Sequence, residues 1–175
     1  MIILLANDSI SHQRVIDFLL HETSLLDERR LQDWLEILSE DFSYKIPVTS
    51  TPEGLSSQAW SEDYLVVDET KDSLTKLWLP RQSPKGWGAA WGENPAQRVR
   101  RFVTNTRISQ SDESDSYVAK SNVLLSFVRE SEPVVLMPAE RIDLVRVTAG
   151  GMRLARRLVK IDTTVVMTGH LRLIF

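Results

Sequence analysis

The chain contains no cysteine. Disulfides, a thiol nucleophile, a zinc–thiolate site and any iron–sulfur cluster held by this chain are thereby excluded, since each needs sulfur ligands or a sulfur pair. Histidine is scarce as well: only His12, His21 and His170 are present, none at an i, i+4 or HxH spacing with another. A mononuclear iron site wants two histidines and a carboxylate converging with open positions, so the sequence predicts no metal and no cofactor bound by this chain. No phosphate loop, glycine-rich dinucleotide turn, GxSxG elbow or HExxH occurs, and no residue is assigned a catalytic role on motif grounds. Long hydrophobic runs are missing too. Met1 to Ala6 is apolar, but it lacks a positive flank and is interrupted by Asn7 and Asp8, too short for a signal core or a membrane span. Neither charge dominates: 21 basic against 24 acidic residues leave a net charge of −3, with no basic block for nucleic acid or an anionic membrane. A cytoplasmic protein is expected, with neither nucleic acid nor a membrane as partner.

What is present fits one domain over residues 1–175, because 175 residues with 42% hydrophobic side chains can bury one sizeable core. Val15, Phe18, Leu19, Leu25 and Leu26 share one helical face, which predicts a helix over about 11–26 with a cap from Asp8, Ser9 or Ser11. Leu31, Trp34, Leu35 and Leu38 repeat the spacing and predict a second helix over about 29–40, capped by Asp27 and ended by Glu40 and Asp41. The alternation Phe42, Tyr44, Ile46 then starts a strand whose edge or end is marked by Pro47. Residues 49–62 read as an exposed loop, and Tyr64 to Val67 as a short strand or helix lead-in. A third helix starts at Asp68 or Thr70, carries Leu74, Leu77 and Trp78, and ends at Pro80, while Pro95 suits the first turn of a short helix. Four long strands follow at about 98–109, 115–129, 133–147 and 152–168, with turn residues at Ser111 to Asp115 and Thr148 to Gly151. Helices followed by meandering strands predict an α+β domain with helices on one face of a curved sheet.

Three groups of side chains stand out. Glu22 lies on the apolar face of the first helix, where a lone carboxylate is costly. It is therefore expected to pair with a strand arginine, Arg98, Arg100 or Arg101; the competing reading is a general base with a raised pKa in a pocket. Trp87 and Trp91 sit in a glycine-rich stretch from Arg81 to Gly92. They either fold back onto the core or anchor a subunit contact, together with Arg98, Arg100, Arg101 and Asn105 of the following strand. The run from Asp27 to Arg30 reads as a cap plus a solvated corner, and Arg153, Arg156 and Arg157 as a strand edge open to water or a partner.

The run Glu22, Leu25-Leu26-Asp27-Glu28-Arg29-Arg30, Trp34-Leu35, Asp41, Tyr44, Pro47 resembles the N-terminal signature of the small (beta) subunit of bacterial aromatic-ring-hydroxylating dioxygenases. The block Trp91-Gly92-Glu93-Asn94-Pro95, then Arg98 to Asn105, is similar to that family's central segment. The ending, Arg156-Arg157, Val159, Asp162 and Leu171 to Phe175, is similar to its last strand and apolar tail. The resemblance implies a cone-shaped α+β fold of the nuclear-transport-factor and scytalone-dehydratase type. It also implies a metal-free subunit that supports a large (alpha) subunit, usually in a trimer of heterodimers with small-subunit self-contacts. That large subunit would carry a Rieske [2Fe-2S] cluster and a mononuclear Fe(II), and the whole enzyme would dihydroxylate an aromatic ring with electrons from NAD(P)H. Arg101, where relatives often have histidine, and the Pro/Gly-rich middle depart from the pattern. A second reading on the same fold is a stand-alone dehydratase or isomerase using Asp27, Tyr44 and Asp162 or a histidine, and a third is a small-ligand-binding module.

Overall fold

The first helix, α1 (Ala6–Asp27), is longer than its sequence pattern required. It buries Val15, Leu19, Glu22, Leu25 and Leu26 along one stripe. The corner after it is made by Arg29, whose φ of 61° lies in the left-handed region, while the N–H groups of Arg29 and Arg30 donate back to Leu26 and Leu25. Asp27 does not cap the next helix: the N-cap of α2 (Leu31–Glu36) is Arg30, without a side-chain capping bond. That helix is six residues, not twelve. Its expected last turn is taken by β1 (Leu38–Thr49), because the Ile37 carbonyl accepts from Leu154 N–H at 3.0 Å and Leu38 pairs with Leu154. Ladder pairing overrides the helical spacing there. The computed structural model describes residues 6–51, 59–82, 86, 88, 90, 97–166, 168 and 170–175.

The remaining strands are β2 (Trp60–Thr70), β3 (Gln97–Gln110), β4 (Ser116–Arg129), β5 (Val135–Thr148) and β6 (Gly151–Ile161). They form one sheet in the order β2-β1-β6-β5-β4-β3. All neighbours are antiparallel except β1 and β6, which run parallel. The sheet is therefore mixed and, among the described residues, its two edge strands are β2 and β3. Tyr64 to Val67, expected as a short piece, lies inside the eleven-residue β2. Pro47 is neither edge nor end: it sits within β1 at a register shift, beyond the last pair with β6, where a missing N–H is tolerated. Thr70 caps the next segment through a reciprocal bond with Ser73. A short α-turn, a π-turn and a 3-10 turn follow in succession to Gln82, so Pro80 lies inside the last turn.

In β4, the alternate residues Ala119, Ser121, Val123, Leu125 and Phe127 form one face and are buried. It meets α1, Trp34 of α2 and the inner residues of β1, β5 and β6. Trp34 and Phe42 pack edge to face, 6.0 Å between ring centres at 89°. The strand expected to reach residue 168 stops at Ile161, whose carbonyl accepts from Thr49 Oγ1 and Trp60 Nε1. Leu173, Ile174 and Phe175 then return into the core and are buried. The Tyr44 hydroxyl, itself buried, donates to the Leu173 carbonyl at 2.9 Å and accepts from Phe175 N–H at 3.4 Å. Tyr44→Phe leaves that carbonyl without its donor and should lower stability by about 1–3 kcal/mol. Urea melts give the magnitude; unchanged amide-exchange protection at Phe175 would show that the hydroxyl does not hold the segment in place.

Candidate functional site: a sealed charge network and a basic groove

Four ionised side chains meet in the interior, each 0 or 1% exposed: Glu22, Arg141, Asp143 and Arg157. Strand register explains three of them. Tyr44 of β1 pairs with Arg157 of β6, which pairs with Asp143 of β5, which pairs with Ala119 of β4. One row of the inner face thus carries phenol, guanidinium and carboxylate side by side, with a methyl group leaving room at its end. Arg157 forks onto Asp143, Nε to Oδ1 at 2.7 Å and Nη2 to Oδ2 at 3.2 Å. Its Nη1 donates to Glu22 Oε1 at 2.8 Å and to the Phe175 main-chain oxygen at 2.6 Å. Trp34 Nε1 donates to the same Glu22 oxygen at 2.7 Å.

Arg141 completes the set less tightly. Its Nη1 is 3.7 Å from Glu22 Oε2, and its Nε is 3.0 Å from Asp143 Oδ2. That second approach has charge attraction without hydrogen-bond geometry, since among the described residues Arg141 Nε, Arg141 Nη2, Glu22 Oε2 and Ser121 Oγ have no hydrogen-bond partner. Ser121 is the cross-strand neighbour of Arg141. Two guanidinium and two carboxylate groups make the network neutral, the condition under which ions persist in an interior.

Burial raises the Glu22 pKa, but Arg157 and Arg141 outweigh it and hold the carboxyl below its ordinary value of 4.5. Burial likewise opposes the charge on Arg157, yet Asp143 and Glu22 keep its pKa raised. On Arg141 burial wins and the pKa is lowered, and burial pushes the Tyr44 phenol well above its usual range. These are the shifts of a structural ion cluster. A general base would need a raised carboxyl facing open space.

The sequence-based expectation for Glu22 is met in its burial and corrected in its partners. Arg98, Arg100 and Arg101 all belong to β3, the edge strand lying two and three strands from β5 and β6. Arg98 and Arg100 share one parity and face outward, so neither reaches under α1. Arg101 does point inward, but Asp27 intercepts it: Nη1 lies 2.6 Å from Asp27 Oδ1, while Nε donates to the Ile174 carbonyl at 2.7 Å. Asp27 is thus an ion-pair partner and not a cap. Arg156 and Arg157 correct the reading of the last strand as an exposed edge, since β6 is central. Arg156 faces out and pairs with Glu113, while Arg157 faces in.

Around the Asp27–Arg101 pair lies a groove of about 590 Å³. Five arginines (29, 98, 100, 101 and 172) line it against the single carboxylate of Asp27, over an apolar floor that includes Leu26 and Val99. Arg100 approaches Asp27 at 3.9 Å with its own side chain 68% exposed. Asn105, with φ of 55°, stands where the β3–β4 register shifts. Trp87 and Trp91 lie outside the described residues. Asp162 is exposed, His170 pairs with Gln97 at 3.0 Å, and His12 packs edge-on to Tyr117. Asp27 is bonded to Arg101 and Tyr44 to the C-terminal segment, and Asp162 is exposed, so the three are not gathered by shared bonds. Among the described residues no three His, Cys, Asp or Glu side chains are placed to hold a metal, and no helix there is long and apolar enough to cross a membrane.

Removing one member of the network should expose its cost. Glu22→Ala leaves Arg157 short of an acceptor and should cost about 3–5 kcal/mol. Combined with Arg157→Met it should show a coupling of about 0.5–3 kcal/mol, and additive losses in denaturant melts would mean the pair is not coupled. Because the folded Glu22 pKa is lowered, its stabilisation is complete above 4.5 and disappears as pH falls through the depressed value. Glu22→Gln should accordingly lose less stability than the wild type over that acid range, measured as melting temperature against pH.

The family model described as ring hydroxylating beta subunit matches residues 21–168. Among solved structures, naphthalene 1,2-dioxygenase with indole bound in its active site superposes with a TM-score of 0.74 at 22% identity, covering 96% of this chain and 93% of that one. The beta subunit of benzoate 1,2-dioxygenase from Burkholderia mallei gives 0.65 at 14% identity, covering 93% of each chain. A protein of Novosphingobium aromaticivorans assigned as a scytalone dehydratase gives 0.63 at 12% identity, covering 94% of this chain and 91% of that one. Identities this low establish a shared fold, the α+β cone with helices inside a curved mixed sheet. The family model spans most of the sequence and includes both Glu22 and Arg157; the chain belongs to the ring hydroxylating beta subunit family.

Proposed function

We propose that this chain is the non-catalytic small subunit of the terminal oxygenase of an aromatic-ring-hydroxylating dioxygenase. Family membership carries the reading, and the interior supports it, because every carboxylate and phenol there is bonded within the fold. In this reading the large subunit holds the Rieske [2Fe-2S] cluster and the mononuclear Fe(II). It receives electrons originating at NAD(P)H through separate components and adds dioxygen to the ring. With no cysteine and only three histidines, this chain lacks the ligand set for such a cluster. Its own residues hold a single-domain cone rigid and present surfaces, in the cytoplasm, to the large subunit and to other small subunits, as a trimer of heterodimers. The candidate contact surface comprises Trp87, Trp91 and the β3 residues Arg98, Arg100 and Asn105, with Arg101 bracing β3 against α1.

The cone shared with a scytalone dehydratase is what favours a stand-alone dehydratase or isomerase. Against it stand the lowered pKa of Glu22, the raised pKa of Tyr44, and the interior filled by Leu173 to Phe175.

Co-expression with the large subunit separates the readings. The small subunit should co-purify with it, and the iron–sulfur absorption should belong to the complex alone. Trp87→Ala or Trp91→Ala should weaken assembly by about 2 kcal/mol or more while leaving the melting temperature of the isolated chain nearly unchanged. Stoichiometric iron in the isolated chain, retained through a chelator wash and lost on mutating His21 or His170, would contradict this assignment, as would turnover of a dehydratase substrate.

A further inference from the structure

The two open edges of the sheet are chemically opposite. On the outer face of β3, Arg98 and Arg100 stand beside Phe102, which is 55% exposed. Phe102 continues across the sheet as the row Phe102, Leu124, Pro138, and Arg100 as the row Arg100, Ser126, Leu136. Arg98 has no ion-pair partner among the described residues. At the other edge, β2 exposes three consecutive apolar residues: Tyr64 at 72%, Leu65 at 36% and Val66 at 50%. A register shift opposite Pro47 leaves Val66 without a cross-strand partner, which turns neighbouring side chains out together. Asp63 and Asp68 flank them; Asp63 has no ion-pair partner among the described residues, and Asp68 only a 3.9 Å approach from Lys45.

Arginines alone on an edge strand are ordinary protection against edge-to-edge pairing. That function does not call for an exposed phenylalanine beside them, nor for a bare Tyr-Leu-Val run on the opposite edge. Aromatic and arginine anchors with few lysines are the composition of an interface core.

We propose that β3 of one copy of this chain docks against β2 of a second copy. Arg98 and Arg100 would face Asp63 and Asp68, and Phe102 would pack on Tyr64 and Val66. The contact is head to tail, so an open assembly keeps one free edge of each kind, at its two ends, until the rotation closes a ring. The proposal rests on the reading that small subunits touch one another and names the surfaces and chemistry of that touch.

A charge swap tests it. Arg98→Glu/Arg100→Glu and Asp63→Arg/Asp68→Arg each place like charges across the contact, and each alone should weaken self-association of the full chain by about tenfold or more. Mixing the two variants should restore it, because each then carries the complement of the other. Sedimentation velocity at low and high salt reads the association, and circular dichroism checks folding; Arg98→Gln/Arg100→Gln serves if the reversal unfolds the chain. The Asp63→Arg/Asp68→Arg variant, which alters no residue of the candidate large-subunit surface, should still bind the large subunit on co-expression. A wild-type chain that stays monomeric both alone and with its large subunit overturns the proposal, as does association that survives both reversals or is not rescued by mixing. Loss of large-subunit binding by the wild type would instead contradict the functional assignment, leaving the edge contact to be judged on the chain alone.

Discussion

Arg157 joins more of this molecule than any other side chain described above. Its guanidinium touches α1 through Glu22, β5 through Asp143 and the returning C-terminal segment through Phe175, and it lies beside Tyr44 of β1. Burying such a group costs several kcal/mol before its partners are counted, so the network is weak evidence for stability and better evidence for specificity. Register is what it specifies. β6 carries two adjacent arginines, and a slip of one residue would send Arg157 into water and Arg156 into the core. Only one of the two registers lets Asp143 and Glu22 both be neutralised.

Much of the architecture was written in local patterns. The stripe of α1, the alternation of β4 and the turn chemistry at Ser111 to Asp115 each reflect one element meeting one core, and a period suffices to read that. The readings that failed depended on partners far away in sequence. Leu38 fits a helix face equally well and becomes strand because Leu154 is there to pair with it. Glu22 could be read as buried, but its partner could not be chosen from composition, since arginines occur in β3, β5 and β6 alike. Parity offered a partial signal: of the three β3 arginines only Arg101 shares the face of Val99 and Val103, so only it could point inward with them. The stronger clue was Arg141 and Asp143 breaking an otherwise apolar inner row that runs through Met137, Ala139 and Val145. Two opposite charges on one buried face announce an ion cluster.

The same fold in a dehydratase-type relative and in this chain invites a comparison of where polar groups point. Here the interior donors and acceptors are directed at one another and at main-chain oxygens of Leu173, Ile174 and Phe175. Exposed charge lies elsewhere, at the groove beside Arg101 and along the two edge strands. The interior network ties α1, the sheet and the C-terminal segment together.

The parallel join between β1 and β6 has a consequence for how the chain reaches this state. β3, β4, β5 and β6 are consecutive hairpins that pair with near neighbours, whereas the bond from Arg157 to Glu22 spans 135 positions. Loops of that size close slowly, and non-local pairing of this kind delays folding. During synthesis α1, α2 and β1 leave the ribosome first and have no parallel strand to join until Arg156 and Arg157 have been made. Until then the groups that bury Leu19, Leu25, Trp34 and Phe42 and pair with Glu22 in the fold are not all present.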